Sequence, residues 1–462
     1  MDPNKVPLYE GDKLYFEGGG VFTLSVDAHS GAKELSGDLT EHELKQGETT
    51  SGSGFINIEA NQSAALIEDS FALAVSFSAA KFSGSGGSIK NQNDDFIVSE
   101  IITEKAKAMI NEDSGYAIYK LKKNGIDTTH ALNEIFKKYG VRLKALGLKD
   151  ASAITEQFVF TTNKTRRDFE VQEPKYSLKK IGFSSKPLSK KNMIGNHFQI
   201  KINDPTTTLC DFNEYDKILN FYGYQRFGSK RPVTHLIGKS LIQKDFDMAV
   251  ELLLSFTSEY DTPKNTEIRE VMKDKSRFSY ALSVIPSRMD LEKIVLKQMI
   301  EHDDPVLAIR ALPLSIRRFF VQSYQSYIFN KTLSASFENN EELFSPQEND
   351  VCYDKNGNLG KFENDPYQRL SIPFVGYSYY KKTRFHHYIK KILDDEQITE
   401  KDFFVKEMQE ISNDGGFRNS SIKCDNYKLE DNIVSFSLSR GSFATIVLRE
   451  IIKPDKPLLS GF

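Results

Sequence analysis

An aspartate near the middle of the first half of the chain has neighbours that suit a catalytic carboxylate. Asp150 follows Lys149 and precedes small residues at positions 151–153, so a sharp exposed loop could present it. An ionised carboxylate in such a loop can act as a nucleophile or as a base. The alternative is a helix cap, because aspartate is a preferred residue at a helix N-terminus. For an isolated aspartate the cap is the better interpretation.

A basic segment surrounds this aspartate. Residues 137–201 contain 15 Lys/Arg and five Asp/Glu residues, a net charge of +10, whereas residues 1–89 have a net charge of −8. The net charge of −3 for the 462-residue chain conceals this contrast. A segment that neutralises several phosphates gives the salt-dependent affinity that is typical of RNA binding. A solvated lysine-rich face is the alternative, and composition alone favours it.

Two groups of residues are candidate contacts for RNA. The first lies in the basic segment and comprises Lys179, Lys180, Lys186, Lys190 and Lys191. The second combines basic and aromatic side chains, which could read exposed bases, and comprises Tyr379, Tyr380, Lys381, Lys382, His386 and His387. The two adjacent histidines lack the spacing of a metal pair, so we predict no metal ligand there. Either group could also be solvated surface.

Length and composition limit the class of protein. A chain of 462 residues is too long for one ordinary core, so we expect two or three domains. The three cysteines lie far apart without a Cys-x-x-Cys pair, which predicts neither a disulfide framework nor a zinc site. There is no apolar run long enough for a membrane helix and no secretory signal, so we expect a cytoplasmic protein.

The elements that must position Asp150 follow an α+β pattern. Alternating or aromatic runs predict strands at residues 96–98, 116–121, 158–160 and 198–202. A helix is predicted from about residue 128 to residue 139, capped by Thr128 or Thr129 and ended by Gly140. Its apolar stripe comprises Ala131, Leu132, Ile135 and Phe136.

The regions on either side of this unit differ from it. Short β-like runs occur at residues 22–26 and 71–75, and the Gly/Ser-rich residues 82–87 predict a flexible joint. Long helical stretches at 235–257, 290–301 and 315–336 predict a separate, largely helical domain. Residues 433–438 and 443–448 predict two further strands. We expect this tail to rejoin the first sheet, so that the helical region is an insertion.

Five segments, taken in order, resemble the motifs of the TruD family of pseudouridine synthases. They are GGSIK with DDFIVSE at 86–100, GLKDASAITEQ at 147–157, GNHF at 195–198, NFYGYQRFG at 220–228 and GSFATIVLRE at 441–450. The fourth is close to the family's signature at the entrance to its inserted domain. The fifth resembles a C-terminal strand of the archaeal and eukaryotic branch. The resemblance covers residues 86 to 453.

The resemblance implies an α+β fold in a V-shaped molecule. A pseudouridine synthase catalytic domain, with a mainly antiparallel mixed sheet flanked by helices, would comprise residues 89–218 and 415–462. An inserted, largely helical α/β TRUD domain would comprise residues 219–414, and RNA would lie in the cleft. Residues 1–88 would be an acidic Gly/Ser-rich segment that the family pattern does not cover.

The resemblance also assigns site residues. Asp150 would be the nucleophile, and Lys90 would lie against it and keep it ionised, an effect of about 1 to 3 pKa units. Asn196 would position the loop or contact the base. Phe198 would stack on the base once the nucleotide is flipped out of the RNA, although a place in the strand core is a serious alternative.

Four more residues are assigned to the RNA by the same resemblance. They are Lys149 and three residues of the fourth motif, Gln225, Arg226 and Phe227. The three residues of the fourth motif could equally fix the hinge between the two domains. Two departures from the family pattern are Ser88 and Ala151, which stand where more apolar and more basic residues are expected.

The implied activity is the isomerisation of uridine to pseudouridine in tRNA, usually at position 13. The family needs no cofactor or metal, and we expect a monomer. One alternative is a non-catalytic RNA-binding protein on the same fold, and another is a synthase that acts on a different RNA. A glycosidase would need a second acid across the scissile bond, and the sequence offers no partner motif for it.

Overall fold

The computed structural model describes most of the chain after residue 83. The described residues are 13–15, 21–26, 33–36, 84–110, 113–149, 151–165, 169–207, 218–228, 231–355, 357–454 and 456–462. Asp150 and the predicted strand at 71–75 lie outside them. The chain forms two compact units, Met1–Ala60 and Asn61–Phe462.

The first unit contains a small antiparallel sheet. Its strands are β1 (Lys13–Tyr15), β2 (Val21–Val26) and β3 (Lys33–Ser36), with β2 in the middle. The strand predicted at residues 22–26 is therefore confirmed.

The second unit contains fifteen strands among its described residues. In chain order they are β4 (Phe96–Ile102), β5 (Tyr116–Asn124), β6 (Leu143–Ala145), β7 (Ile154–Thr161), β8 (Val171–Gln172), β9 (Tyr176–Ser184), β10 (Met193–Lys201), β11 (Ile218–Leu219), β12 (Val351–Tyr353), β13 (Leu359–Lys361), β14 (Arg369–Phe374), β15 (Gly416–Asn419), β16 (Ser421–Ile422), β17 (Asp425–Glu430) and β18 (Ile433–Ser439).

The α-helices of the second unit lie mostly between β11 and β15. In chain order, within the described residues, they are α1 (Glu104–Ala108), α2 (Thr128–Tyr139), α3 (Thr234–Gln243), α4 (Phe246–Ser255), α5 (Pro263–Val271), α6 (Phe278–Val284), α7 (Asp290–His302), α8 (Pro305–Ala311), α9 (Leu314–Glu338), α10 (His386–Asp395) and α11 (Ala444–Ile452).

The main sheet has nine strands in the order β17-β18-β10-β4-β7-β5-β9-β8, with β6 paired to β7. Only the β4–β7 pair in this sheet is parallel, and the other pairs are antiparallel. The predicted mainly antiparallel mixed sheet, and with it the α+β fold class, is confirmed. Strand β18 pairs with β10, so the C-terminal tail does rejoin the first sheet.

The helical region is organised around α9, the 25-residue helix, which packs against α3. The helical stretch predicted at 235–257 is confirmed and is divided into two helices, because Lys244 ends α3 in a left-handed conformation with φ of 64°. Asp245 then caps α4 by accepting the N–H of Met248. Beside the helices lies a four-stranded sheet in the order β13-β12-β14-β15.

Helix α2 begins and ends close to its predicted limits. Its N-cap is Asp127, whose side chain accepts the N–H of His130, so the prediction of Thr128 or Thr129 as cap is wrong by one or two residues. Gly140 ends the helix with φ of 69°. Ala131 and Ile135 are buried.

Residues 84–87 do not form the predicted flexible joint. Ser85 is fully buried, and the N–H groups of Ser85 and Gly86 donate to the carbonyls of Ile451 and Ile452, each at 2.9 Å. A Cβ on Gly87 would lie 2.5 Å from the carbonyl oxygen of Asn203. The glycines therefore permit close backbone packing, which composition alone does not distinguish from looseness.

The strand predicted at residues 443–448 is wrong. These residues begin α11, whose nine residues are all buried. A short apolar run can be a buried strand or a buried helix, because periodicity does not separate them when every face is covered.

Candidate active site

One face of the main sheet gathers several of the predicted site residues. Side chains alternate between the two faces of a strand, and directly paired residues share a face. Asn196 of β10 pairs with Glu100 of β4, and Phe198 pairs with Val98. All four side chains therefore lie on the same face. On the neighbouring strand β7, Gln157 also lies on this face, since Val98 pairs with Thr155 two positions earlier.

The loop after β6 places Lys149 over this face. Its Nζ donates to Oδ1 of Asn196 at 2.7 Å and lies 3.4 Å from Oε1 of Glu100. The second carboxylate oxygen of Glu100 accepts the N–H of Phe158 at 2.9 Å. The side chains of Lys149 and Glu100 are 9% and 0% exposed. Lys149, Glu100 and Asn196 thus form one buried polar group.

Burial acts against both charges of this group. It raises the pKa of Glu100, while the charge of Lys149 and the N–H of Phe158 oppose the shift. It lowers the pKa of Lys149, and Glu100 opposes that shift. Each charge therefore depends on the other, and removal of one partner leaves an unpaired charge in the interior.

The main chain of the same loop is bonded to the first turn of α2. The N–H of Lys149 donates to Oγ1 of Thr128 at 2.9 Å, and the N–H of Thr128 donates to the carbonyl of Lys149 at 3.3 Å. The Thr128 hydroxyl donates to Oε1 of Gln157 at 2.8 Å. The Gln157 amide in turn donates to the carbonyl of Gly147 at 2.9 Å. The loop is thus held from the helix and from the sheet.

Lys90 reaches the same face from the other end of β4. Its Nζ lies 4.8 Å from the centroid of the Phe96 ring. The Phe96 ring is in turn 6.2 Å from that of Phe198. The backbone of Lys90 is left-handed, with φ of 58°, a conformation that is uncommon outside glycine. Because Asp150 lies outside the described residues, the contact between Lys90 and Asp150 stays a prediction.

Phe198 lies in the core of this face. Its ring is 5.6 Å from that of Phe436 and contacts Phe96 edge to face, and the residue is 7% exposed. This placement fits the interpretation of Phe198 as a core residue of the strand. Its stacking on a base stays a prediction.

Two residues of the fourth motif are fixed by the protein itself. Phe227 is 1% exposed, and its ring centroid is 5.4 Å from that of His235. Gln225 accepts the hydroxyl of Thr445, at the start of α11, at 3.2 Å. Both positions fit the interpretation that this motif joins parts of the molecule.

Arg226, the third of these residues, shares Tyr222 with a second arginine. The guanidinium carbons of Arg226 and Arg418 lie 5.1 Å and 3.8 Å from the Tyr222 ring centroid. Arg418 also donates to the main-chain and side-chain oxygens of Asn220 and to the carbonyl of Gly441. No carboxylate of the described chain lies within ion-pair distance of either arginine.

The two guanidinium groups also repel each other. Burial lowers the pKa of Arg226 and of Arg418, and the charge of Arg226 lowers that of Arg418 further. Arginine nevertheless stays protonated in proteins. Two positive charges are therefore held together without a negative partner in the described residues.

The other candidate RNA contacts divide into exposed and structural residues. In the first group, Lys180 is half-buried and the other four lysines are exposed. In the second, Tyr379 is buried and its hydroxyl lies 3.0 Å from Nδ1 of His386, whereas Tyr380 is 40% exposed. Lys381 donates to Glu400. The second group is therefore only partly available to a ligand.

The described residues contain neither a cluster of metal ligands nor a membrane-spanning helix. Nowhere in the described part do three or more His, Cys, Asp or Glu side chains gather as metal ligands would. The same part of the chain holds no helix with the length and hydropathy of a membrane span.

Three residues of this region were not singled out from the sequence. The sequence contains a pattern that indicates Glu100, because this carboxylate follows Phe96 and Val98 at an inward position of the strand. The sequence predicts only a helix-capping role for Thr128. Arg418 had no signal, since almost 200 residues separate it from the motif that it joins.

Comparison with known proteins gives a consistent result. The family model for tRNA pseudouridine synthase D (TruD) matches residues 73–451. A protein of Nanoarchaeum equitans named "Probable tRNA pseudouridine synthase D" is 29% identical over 387 residues, which are 79% of this chain and 98% of that protein. A protein of Saccharolobus solfataricus with the same name is 31% identical over 382 residues, which are 80% and 92% of the two chains.

A solved structure agrees with these relatives. The crystal structure of a protein described as a tRNA pseudouridine synthase D (TruD) from Methanosarcina mazei matches with a TM-score of 0.62 and 25% sequence identity. The match covers 82% of this chain and 96% of that chain.

Proposed function

The chain belongs to the tRNA pseudouridine synthase D (TruD) family, as its motifs predicted, and we propose that it isomerises uridine 13 of tRNA with Asp150 as the nucleophile. The observation that carries the proposal is that Lys149, in the loop after β6, is held in place on both its side chain and its main chain. The side chain of Lys149 contacts Glu100 and Asn196, and its main chain is bonded to Thr128. Asp150 is the next residue in the sequence.

The reaction is an isomerisation, so that no atom is gained or lost overall. The N1–C1′ bond breaks, with the carboxylate of Asp150 assisting as nucleophile or base. The base turns, and C5 forms the new bond to C1′. The proton on C5 then leaves, and N1 gains a proton. A rigid loop serves this sequence because a catalytic group must stay aligned while the base moves.

Lys90 is proposed to keep Asp150 ionised. A positive charge close to a carboxylate lowers its pKa. The support is that Lys90 lies on the same face of the sheet as Phe198 and Asn196, next to Phe96. Asn196 is proposed to contact the base. Phe198 is proposed to stack on the base once the nucleotide is flipped out of the RNA.

Arg226 and Arg418 are proposed to bind RNA phosphates. Buried or half-buried charges in proteins are normally paired, and these two lack a carboxylate partner in the described chain. A guanidinium group binds phosphate through a planar fork of donors. Gln225 and Phe227 are proposed to hold this pair in place, through Thr445 and the core around His235. The exposed lysines of the basic segment would add long-range electrostatic attraction to the RNA phosphates.

The domain division implied by the resemblance is also proposed for this chain. Residues 89–218 and 415–462 would form the catalytic domain, and residues 219–414 the inserted one. In support, β17 and β18 extend the sheet that contains β4, β7 and β10. The helices α3 to α10 lie between the two parts of that sheet in the sequence.

Release of tritium from [5-³H]uridine in a tRNA transcript tests the function. The intact chain should release one equivalent from a transcript with uridine at position 13, because C5 loses its hydrogen. A transcript with cytidine at position 13 should release none. Release from that second transcript would reassign the target to another uridine. Absence of release from both would leave a non-catalytic RNA-binding protein.

A further inference from the structure

The contact between Lys149 and Asn196 fixes the direction of an amide group. An ammonium group has hydrogen-bond donors only, whereas an asparagine side chain has an acceptor oxygen and a donor nitrogen. Lys149 Nζ lies 2.7 Å from Oδ1 of Asn196, so the oxygen must be the atom turned toward the lysine. The donor nitrogen is thereby turned away from it.

The donor nitrogen of Asn196 is not used by the described protein. Nδ2 has no hydrogen-bond partner among the described residues, and it is not one of their buried unpaired atoms. Asn196 itself is half-buried, on the same face as Phe198 two positions along β10. The strand thus presents a free N–H₂ group beside Lys149.

Glu100 prevents the lysine from leaving this position. Its carboxylate is fully buried, with one oxygen bonded to the N–H of Phe158 and the other 3.4 Å from Lys149 Nζ. The Lys149 main chain is fixed separately through Thr128. The chain of contacts from Glu100 through Lys149 to Asn196 therefore leaves the amide one orientation.

We propose that Asn196 selects uracil as the target base by donating from Nδ2 to its O4 carbonyl, with Lys149 and Glu100 as positioning residues. The proposal rests on the proposed function and gives its target base a recognition element. Uracil has an acceptor at this position, whereas cytosine has an amino group, a donor. An amide nitrogen that cannot exchange places with its oxygen bonds O4 of uracil and repels the amino group of cytosine.

The symmetry of uracil suits a donor that stays in place throughout the reaction. Its two carbonyl oxygens lie symmetrically about the axis through N3 and C6. Rotation about this axis exchanges N1 with C5, which the isomerisation requires, and also exchanges O4 with O2. A donor next to O4 in the substrate therefore meets O2 after the base has turned. Asn196 can bond the base before and after rotation without moving.

The test compares the affinity of full-length protein for two tRNA transcripts, with uridine or cytidine at the target position. The Asp150→Asn substitution is present throughout, so that the uridine is not converted. This protein should prefer the uridine transcript by about tenfold, which corresponds to about 1.4 kcal/mol. Addition of Asn196→Asp keeps the shape but replaces the free donor by an acceptor. The preference should then disappear or invert.

A matched control lies on the same strand. Gln199 is an exposed amide on the opposite face of β10, and Gln199→Glu should keep the tenfold preference. A double variant, Glu100→Gln with Lys149→Met, removes both charges together and lets the amide turn. It should lower the preference at least threefold. A loss of folding would weaken the affinity for both transcripts alike. The ratio of the two affinities therefore reports the orientation of the Asn196 amide.

Two results would overturn the proposal. One is that the Asp150→Asn protein binds the uridine and cytidine transcripts equally well. The other is that addition of Asn196→Asp leaves its preference for the uridine transcript unchanged. Failure of the proposed function is distinguishable from either, because it appears as absence of tritium release from the chain with Asp150 intact.

Discussion

At the scale of single residues, the candidate site depends on Thr128 as much as on the charged side chains. One hydroxyl accepts from the Lys149 main chain and donates to Gln157. Thr128→Val keeps the shape and removes both bonds, leaving a buried donor and a buried acceptor unpaired. We expect the free energy of unfolding to fall by about 1 to 3 kcal/mol for each unpaired group.

The same substitution should reduce catalysis, because a displacement of about 1 Å can lower a rate by about a hundredfold. Denaturant unfolding and tritium release measure the two effects. Thr129→Val, at the exposed next position of α2, is the matched control. If the two variants had equal stability and equal rates, the anchoring role of Thr128 would be wrong.

The sequence predicts individual site residues, whereas the contacts between them are visible only in the structure. The resemblance to the family singles out Lys90, Lys149, Asn196 and Phe198. The last two share a face because they are two positions apart on β10, and the register of β4 and β10 adds Glu100 and Val98 to that face. The pairing of Glu100 with Lys149 links residues on different elements. Such a contact is fixed by the tertiary fold, which a local pattern does not contain.

At the scale of elements, the packing of α3 against α9 encloses a histidine. His235 is 1% exposed, and neither ring nitrogen has a hydrogen-bond partner. Its ring centroid is 5.2 Å from that of Tyr327 in α9. Burial lowers the pKa of His235 to about 3. The imidazole is therefore neutral in the folded protein at any physiological pH.

This burial predicts a loss of stability in acid. In the unfolded chain the histidine titrates near pH 6.5, so between pH 3 and pH 6.5 the unfolded state binds more protons than the folded state. The free energy of unfolding must fall as the pH falls through this window, by up to about 1.4 kcal/mol per pH unit.

His235→Phe should remove that component. Urea unfolding at pH 5 and pH 8 gives the free energy of unfolding of both proteins. The difference between variant and parent should be more favourable to the variant at pH 5 than at pH 8. His387→Phe, at an exposed position of α10, controls for the loss of an imidazole. A difference between parent and His235→Phe that is the same at both pH values would contradict the prediction.

Most elements near the site were predictable from periodicity, and the exceptions share a cause. Strands β4, β5, β7 and β10 alternate or carry aromatic residues, and α2 has an apolar stripe and a terminal glycine. By contrast, all residues of α11 are buried, and the main chain of Ser85 and Gly86 is bonded to the end of this helix. Periodicity reports a difference between a buried and an exposed face, and an element without an exposed face gives no such signal.

At the scale of the whole molecule, three distant parts of the sequence meet at Tyr222. Asn220 and Tyr222 precede the helical region, Arg418 follows it, and Gly441 lies just before α11. The two arginines on Tyr222 are the charges without carboxylate partners that we propose to bind phosphate. These two charges thus lie where separate segments of the chain join.

Binding of tRNA should depend on these charges through salt. Arg226→Gln and Arg418→Gln should each weaken the affinity and reduce the slope of log K against log salt concentration by about one, as expected for one lost phosphate contact. Measurement of the dissociation constant at several salt concentrations gives this slope. Arg288→Gln, which removes an exposed charge in the helical region, should leave it unchanged. An unchanged slope for Arg226→Gln would exclude the proposed phosphate contact.

The most direct test of the proposed chemistry is the Asp150→Asn substitution. It preserves the size of the side chain and removes its ability to attack or to take a proton. We predict that the variant binds tRNA as tightly as the parent protein and releases no tritium from [5-³H]uridine at position 13. Asp394→Asn, an exposed position at the end of α10, should release tritium at the parental rate. Full release by Asp150→Asn would contradict the assignment of Asp150 as the nucleophile.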